Sequence, residues 1–162
     1  KNNILNSMSI VIRTGTKADI PFALNLVKEL AVYEKAPNEV EVTVEEMTEW
    51  GFGTDKQFDF FVALENDVIV GLALYYYKYS TWKGKCLFLE DIIVTESQRG
   101  KGLGKLLFDK VVQVSKEQKV RRMEWQVLDW NTPAIEFYKK YDATLDDEWV
   151  NCKLTNHQLE KM

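Results

Sequence analysis

Cysteine and histidine are scarce in this chain. Its 162 residues include two cysteines, Cys86 and Cys152, and one histidine, His157. Both cysteines lie in apolar, strand-like runs, which predicts two small core residues rather than a disulfide. No Cys/His cluster has the spacing of a zinc site, so we predict no metal. A Ser–His or Cys–His catalytic pair would have to use His157, and its polar surroundings indicate a surface position instead.

Long apolar runs are also missing. No stretch reaches the roughly 18 residues of a transmembrane helix, and the first residues contain no apolar core of signal-peptide length. We therefore expect a flexible leader over residues 1–8, one domain over residues 9–162 and a cytoplasmic location. The net charge of −4 argues against nucleic acid as a partner and suits a cationic substrate better.

Strand and helix patterns alternate along the chain in an order that predicts an α/β fold. Capping boxes at Thr16–Asp19 and Thr43–Glu46 each open a helix, the second running toward Trp50 before Gly51–Gly53 breaks it. Asn66-Asp67 predicts a hairpin turn. The predicted strands are Ile10–Arg13, Phe58–Glu65, Val68–Lys78, Cys86–Val94, Arg122–Leu128, Ala143–Leu145 and Glu148–Leu154. We expect antiparallel pairing first and helix crossovers later.

A glycine-rich segment between a strand and a helix is the most informative feature. The apolar run Leu87–Val94 is followed by the polar Thr95–Gln98, and Arg99-Gly100-Lys101-Gly102-Leu103-Gly104 then leads into an amphipathic helix. Glycines allow a close backbone approach, and the helix N-terminus favours an anion. The segment predicts a phosphate-bearing ligand on the N–H groups of residues 100–105, with added charge from Arg99 and Lys101.

Two familiar phosphate loops do not fit this segment. A Walker loop needs Ser or Thr after Gly-Lys, whereas Leu106 follows Gly104-Lys105. The dinucleotide fingerprint belongs to the first strand–helix unit of a domain, whereas these glycines come more than halfway along the chain. A glycine-rich turn that binds no ligand remains an alternative for the cluster alone.

Two motifs together resemble a known family. Arg99-x-x-Gly102-x-Gly104 after a strand resembles the acetyl-coenzyme A (acetyl-CoA) loop of the GCN5-related N-acetyltransferases (GNAT). Asn131-Thr132-Pro133-Ala134-Ile135-Glu136-Phe137-Tyr138 resembles the later motif of that family. Over about residues 9–154 the chain is similar to the diamine (spermidine/spermine) N-acetyltransferases. The further segments that carry this likeness are Val27–Glu34, Trp50–Gly53, Ala73–Tyr77, Trp82–Lys85, Leu87–Asp91 and Trp130-Asn131.

The resemblance implies a GNAT-type mixed sheet around a central splayed strand pair, a homodimer, and acetyl transfer from acetyl-CoA to a polyamine or a thialysine-like amine. A protein lysine or N-terminal acetyltransferase and a non-catalytic acyl-CoA-binding module remain alternatives. The residues expected to hold acetyl-CoA are Ile92, Ile93, Val94, Arg99, Gly100, Lys101, Gly102, Leu103, Gly104, Lys105, Asn131, Pro133, Ala134 and Tyr138.

The resemblance also assigns chemistry. An alkylamine has a pKa of about 10.4 and must lose a proton before it can attack, so Glu90 is the expected base, directly or through a water. Backbone N–H groups near Ile93 and Val94 would hold the oxyanion, and Tyr138 would protonate the leaving thiolate. The expected acidic, aromatic-rimmed substrate groove comprises Tyr33, Glu34, Glu90, Asp91, Glu124, Trp125, Gln126 and Glu148.

The sequence departs from the family pattern near its end. Asp142 stands where the family usually has glycine after the helix of Tyr138, and Asp tolerates a left-handed helix cap less well than Gly. The spacing around Glu148-Trp149 also differs from that of the polyamine enzymes.

Overall fold

A computed structural model describes residues 9–162; the predicted leader over residues 1–8 lies outside the described residues. The strands of the sheet are β1 (Ile10–Thr14), β2 (Asp59–Glu65), β3 (Val68–Ser80), β4 (Gly84–Val94) and β5 (Met123–Trp125). The helices are α1 (Ile20–Tyr33), α2 (Val44–Phe52), α3 (Leu103–Glu117), α4 (Thr132–Lys139) and α5 (Asn156–Leu159). The strand order is β1-β2-β3-β4-β5, antiparallel through β4 and parallel between β4 and β5. This confirms the predicted α/β mixed sheet.

The entry to α1 is fixed by one buried carboxylate. Asp19 accepts hydrogen bonds from the Thr16 backbone N–H at 2.7 Å and the Thr16 hydroxyl at 2.9 Å. Its two oxygens also accept from the guanidinium of Arg13, at 2.6 and 3.0 Å. The hydrogen bond with Arg13 is the largest cause that lowers the pKa of Asp19 to about 2. The predicted capping box is therefore present, and the ion pair with Arg13 strengthens it.

The β2–β3 hairpin confirms the turn predicted from its sequence. Asn66 and Asp67 connect the two strands with φ values of 50° and 65°. A two-residue turn with positive φ at both positions matches the right-handed twist of the flanking strands, and Asn and Asp tolerate this conformation better than other side chains.

Helices cover both faces of the sheet. On one face Ile20, Leu24 and Met47 of α1 and α2 pack in a core cluster with sheet residues that include Val62 and Leu72. On the other face α3 lies so close to β3 that a Cβ added at Gly71 would stand 2.9 Å from Cδ1 of Leu107. Successive residues of a strand face opposite sides of the sheet, which explains why the adjacent residues 71 and 72 of β3 pack against different helices.

The predictions of two closing strands, of a buried Cys152 and of a seven-residue fifth strand are wrong. The closing strands predicted over residues 143–145 and 148–154 are irregular backbone. Their large apolar side chains are exposed, because this strand-like segment has no sheet partner among the described residues. Cys152 is exposed, whereas Cys86 is buried as predicted. Helix α2 ends at Phe52 with Gly53 as its C-cap, so the break predicted over Gly51–Gly53 is confirmed. The fifth strand spans only Met123–Trp125 instead of residues 122–128.

The described residues fall into two compact units, one ending at Gln126 and one covering Val127–Met162. The first contains the whole sheet with α1, α2 and α3, and the second contains α4 and α5. A single domain over residues 9–162 stays a prediction. In residues 9–162 no helix combines the length and the apolar character that a bilayer crossing requires.

Candidate functional site

A β-bulge in β4 sets the direction of its acidic residues. Asp91 pairs with Leu74 and Leu89 pairs with Tyr75 in the β3–β4 ladder. Glu90 lies between them as the extra residue of the bulge, opposite no residue of β3 in the strand register. Bulges re-aim side chains and are frequent beside active sites. Here the bulge places Glu90, which is exposed, next to the half-buried Asp91. Two carboxylates consequently stand adjacent in the middle of a central strand.

A third carboxylate completes an acidic cluster that we define as Glu34, Glu90 and Asp91. Burial, followed by the charges of Glu90 and Glu34, raises the pKa of Asp91 to about 7. Burial also raises the pKa of Glu34, which directly follows α1. Since like charges disfavour further ionisation, this cluster is suited to a cationic ligand that would relieve the repulsion.

Tyr76 borders this cluster and was not predicted as a site residue. Its ring stacks on Phe88 with centroids 5.4 Å apart and an interplanar angle of 30°. Burial, the charge of Glu90 and a hydrogen bond with Glu90 raise the pKa of Tyr76 to about 12. No short sequence pattern predicts that Tyr76 lies beside the acidic cluster, because its proximity to Glu90 depends on the bulge.

The glycine segment has the backbone form expected of an anion cradle. Gly100 and Gly102 have φ values of 78° and 83°, which only glycine adopts readily, and a Cβ at either position would meet nothing within 4 Å. Gly102 is the N-cap of α3. The open space and the helix N-terminus fit a diphosphate on the N–H groups of this turn.

The strand before the cradle is splayed from its neighbour. Pairing between β4 and β5 covers only Leu87–Leu89 and Met123–Trp125, although β4 continues to Val94. Ile92, Ile93 and Val94 therefore lie beyond the paired part of β4. This confirms the predicted splayed strand pair. The edge of residues 92–94 that faces away from β3 is not paired with β5.

The basic side chains of the cradle bind to protein acids. Arg99 lies 3.7 Å from Glu29, and Lys101 lies 3.2 Å from the buried Glu65. Lys105 pairs with Asp109. These ion pairs reduce the positive charge that Arg99, Lys101 and Lys105 can offer to an anion.

Three predicted groove residues belong to β5 and its end. Glu124 lies 3.1 Å from Lys78 and 3.3 Å from Arg122. The ring of Trp125 is 5.2 Å from Phe108 of α3, edge to face. Trp125 thus packs toward α3, and Glu124 already has cationic neighbours, whereas Gln126 is exposed. Glu124 and Trp125 thus make contacts within the fold, whereas the carboxylates of the acidic cluster repel one another.

The second unit contains the later motif. The Asn131 side chain accepts a hydrogen bond from the Ala134 N–H at 3.3 Å, which caps α4, with Pro133 in the first turn. Tyr138 is only 5% exposed. Asp142 adopts the left-handed conformation, φ 56°, at the position where the family usually has glycine. Glu148 lies in an exposed, irregular segment.

Comparisons with known proteins agree with this architecture. The family model described as "Acetyltransferase (GNAT) family" matches residues 25–142. A Sus scrofa protein named thialysine N-epsilon-acetyltransferase is 35% identical over 165 residues, covering 95% of this chain and 97% of the relative. A Homo sapiens protein named spermidine/spermine N(1)-acetyltransferase-like protein 1 is 30% identical over 93% of this chain, but this match covers only 23% of the relative.

Solved structures share the fold at lower identity. An integron cassette protein from V. cholerae superposes with a TM-score of 0.76 at 22% identity, covering 96% of this chain and 98% of that one. The aminoglycoside N-acetyltransferase AAC(6')-Iy, solved in complex with CoA, gives a TM-score of 0.74 at 18% identity, with 93% and 98% covered. At such identities the likeness concerns the fold.

Proposed function

This chain belongs to the GNAT acetyltransferase family, and we propose that it moves an acetyl group from acetyl-CoA to a small primary amine, thialysine or a polyamine. The observation that carries the proposal is the acidic cluster next to the splayed end of β4. Carboxylates that repel one another favour a ligand with one or more ammonium groups. The names of two relatives, a thialysine N-epsilon-acetyltransferase and a spermidine/spermine N(1)-acetyltransferase-like protein, support these two amine types as acceptors.

Glu90 is the proposed base. It removes a proton from the ammonium group of the acceptor, directly or through a water, because only the neutral amine has a lone pair for attack. Asp91 and Glu34 hold the remaining positive charge of the acceptor, with Tyr33 at the rim. The exposure of Glu90 is consistent with access for an incoming amine.

Acetyl-CoA supplies the thioester when it is bound. The cradle residues Gly100–Lys105 hold its diphosphate through backbone N–H groups, and the N–H groups near Ile93 and Val94 stabilise the oxyanion. Asn131, Pro133 and Ala134 contact the pantetheine chain. As the new C–N bond forms and the C–S bond breaks, Tyr138 donates its phenolic proton to the departing thiolate. The amine nitrogen loses its second proton as it becomes an amide, and this proton restores the Tyr138 phenol.

A homodimer and a cytoplasmic location are parts of the same proposal. The exposed apolar side chains of the irregular second-unit segment support self-association; they are Leu145, Trp149, Val150 and Leu154, which are 50–86% exposed. Sedimentation velocity tests the dimer: a single species of twice the chain mass is expected, and a monomer at micromolar concentration would contradict it.

Release of the coenzyme A thiol tests the activity. Thialysine, spermidine, putrescine and lysine are offered with acetyl-CoA, and a peptide panel serves as the comparison. We expect turnover with thialysine or a polyamine that exceeds turnover with every peptide. No turnover with any amine would contradict amine acetylation, and faster turnover with peptides would assign a protein acceptor. Tyr138→Phe should lower kcat while coenzyme A binding stays close to wild type.

A further inference from the structure

Glu29 of α1 reaches across to the turn that connects β4 to the cradle. The Thr95 hydroxyl donates a hydrogen bond to Glu29 Oε2 at 2.8 Å, and the Glu96 backbone N–H donates to Oε1 at 2.9 Å. Thr95 is also tied to β3, because its backbone N–H donates to the Val70 carbonyl at 2.8 Å. One carboxylate therefore satisfies two donors of a short turn that precedes the cradle.

The same carboxylate also faces Arg99, the first residue of the glycine motif. Arg99 Nη2 lies 3.7 Å from Glu29 Oε1, and Arg99 Nε donates to the Val94 carbonyl at 2.9 Å. The guanidinium carbon is 5.1 Å from the ring centroid of Tyr33. Arg99 is thus held between the end of β4, Glu29 and the aromatic ring that precedes Glu34 in sequence.

These contacts connect the coenzyme loop with the edge of the acidic cluster. Gly100, the first cradle glycine, directly follows Arg99, so the direction of its N–H depends on how Arg99 is held. Glycine lowers the cost of positive φ but leaves the turn flexible. Charge-assisted hydrogen bonds from a rigid helix restrict such a turn at the positions where Glu29 binds.

We propose that Glu29 is a positioning residue that holds the Thr95–Arg99 turn against α1, and so presets the cradle N–H groups for the diphosphate. Arg99 consequently stabilises the turn through its contacts with Glu29 and the Val94 carbonyl, and its charge is partly neutralised before any ligand binds. The inference rests on the proposed function for the identity of the ligand. Its expected signature is weaker coenzyme binding with little change in the chemical step.

Two substitutions separate hydrogen bonding from charge. Glu29→Ala removes the acceptors of Thr95 and Glu96 and the partner of Arg99, so the Kd of coenzyme A measured by calorimetry should rise at least about tenfold. Glu29→Gln keeps an oxygen for the Glu96 N–H and an amide that can donate to the Thr95 hydroxyl, but loses the charge facing Arg99. Its Kd should rise about threefold.

Matched controls distinguish positioning from general destabilisation. Lys28→Gln removes an exposed charge from the same turn of α1 and should leave the Kd unchanged. Met47→Ala leaves a cavity in the core beneath α2 and should lower Tm without weakening coenzyme A binding. With saturating acetyl-CoA, the kcat of both Glu29 variants should stay within about twofold of wild type.

An unchanged Kd in Glu29→Gln and Glu29→Ala would overturn the proposal, as would an equal loss of binding in Met47→Ala. If Glu29→Ala does not fold, the Glu29→Gln value decides alone: a rise of about threefold in Kd supports the proposal, and an unchanged Kd overturns it. Coenzyme A binding needs no acceptor amine. A wild-type protein that binds coenzyme A but acetylates no amine would therefore contradict the proposed function and still test Glu29.

Discussion

Two buried or half-buried carboxylates stand in opposite electrostatic settings in the first unit. Asp19, before α1, accepts hydrogen bonds from Arg13 and Thr16, and its pKa falls to about 2. Asp91 lies on β4, and burial together with the charges of Glu90 and Glu34 raises the pKa of its side chain to about 7. The same chemical group is thus ionised readily in one place and reluctantly in the other.

The difference separates a structural acid from one available to a ligand. The cost of burying the charge of Asp19 is offset within the fold by a guanidinium and two donors from Thr16. For Asp91 the folded chain supplies neighbouring acids instead, so the missing positive charge can come from a bound ammonium group. Substitutions in the two regions should therefore affect different properties.

The largest expected effect is on catalysis at the acidic cluster. Glu90→Gln removes the proposed base and should lower kcat at least about a hundredfold, while Tm stays near wild type because Glu90 is exposed. Steady-state thiol release and a thermal melt provide the two measurements. Glu45→Gln, an exposed acid in the first turn of α2, serves as the control. Equal kcat in wild type and Glu90→Gln would remove Glu90 from the mechanism.

Substitution of Asp19, before α1, should change the stability of the protein and not its catalysis. Asp19→Asn removes the charge that pairs with Arg13 and leaves one acceptor oxygen where Asp19 has two. We expect the free energy of unfolding to fall by about 2 kcal/mol at pH 7. Urea denaturation measures this loss. The kcat of the folded variant should match wild type, and a large drop in kcat without loss of stability would contradict the structural role.

The pH dependence of stability should have opposite signs at the two carboxylates. The folded pKa of Asp91 lies above its unfolded value, so the native state binds the extra proton, and the contribution to stability is lost as pH rises from about 4 to about 7. Asp91→Asn should therefore stabilise the protein at pH 8 and change its stability little at pH 4.

Asp19 supplies the internal contrast for that measurement. Its folded pKa is depressed, so its contribution is present above pH 4 and is lost as pH falls toward about 2. Urea denaturation at several pH values should show the Asp19→Asn difference shrinking in acid. A stabilisation by Asp91→Asn that is equal at pH 4 and pH 8 would contradict the raised pKa.

The smallest expected effect comes from the capping box of α2, which resembles that of α1 but lacks an arginine. The Glu46 N–H donates to the Thr43 hydroxyl at 3.2 Å, and the Thr43 N–H donates to Glu46 at 2.9 Å. Both residues are exposed. Thr43→Ala should lower the free energy of unfolding by about 0.5–1 kcal/mol. A loss as large as that of Asp19→Asn would show that Arg13 adds nothing at α1.

Local patterns were sufficient for much of the fold. Alternation, caps and the Asn66-Asp67 turn predicted β1 to β4 and the first three helices, because these signals act within a few residues. Strand-like composition misled over residues 143–154, where strand formation depends on an edge to pair with. Cys152 was misplaced for the same reason.

The candidate site was only partly readable from the sequence. The glycine segment predicted a close backbone approach at a helix N-terminus, and the structure adds positive φ at Gly100 and Gly102. The resemblance supplied Glu90, Asp91 and Glu34. The roles of Tyr76 and Glu29 depend on the β4 bulge and on the packing of α1, which no short pattern encodes. The charge partners of Arg99 and Lys101 were likewise set by tertiary contacts.

The most direct test of this account is the titration of Asp19 and Asp91 in one sample, followed by the NMR shifts of their carboxyl carbons. We predict a midpoint of about 2 for Asp19 and about 7 for Asp91, and a fall in the Asp91 midpoint when saturating spermidine or thialysine is added. Both carboxyls titrating near pH 4, or an Asp91 midpoint that neither amine changes, would contradict a cluster that binds a cationic acceptor.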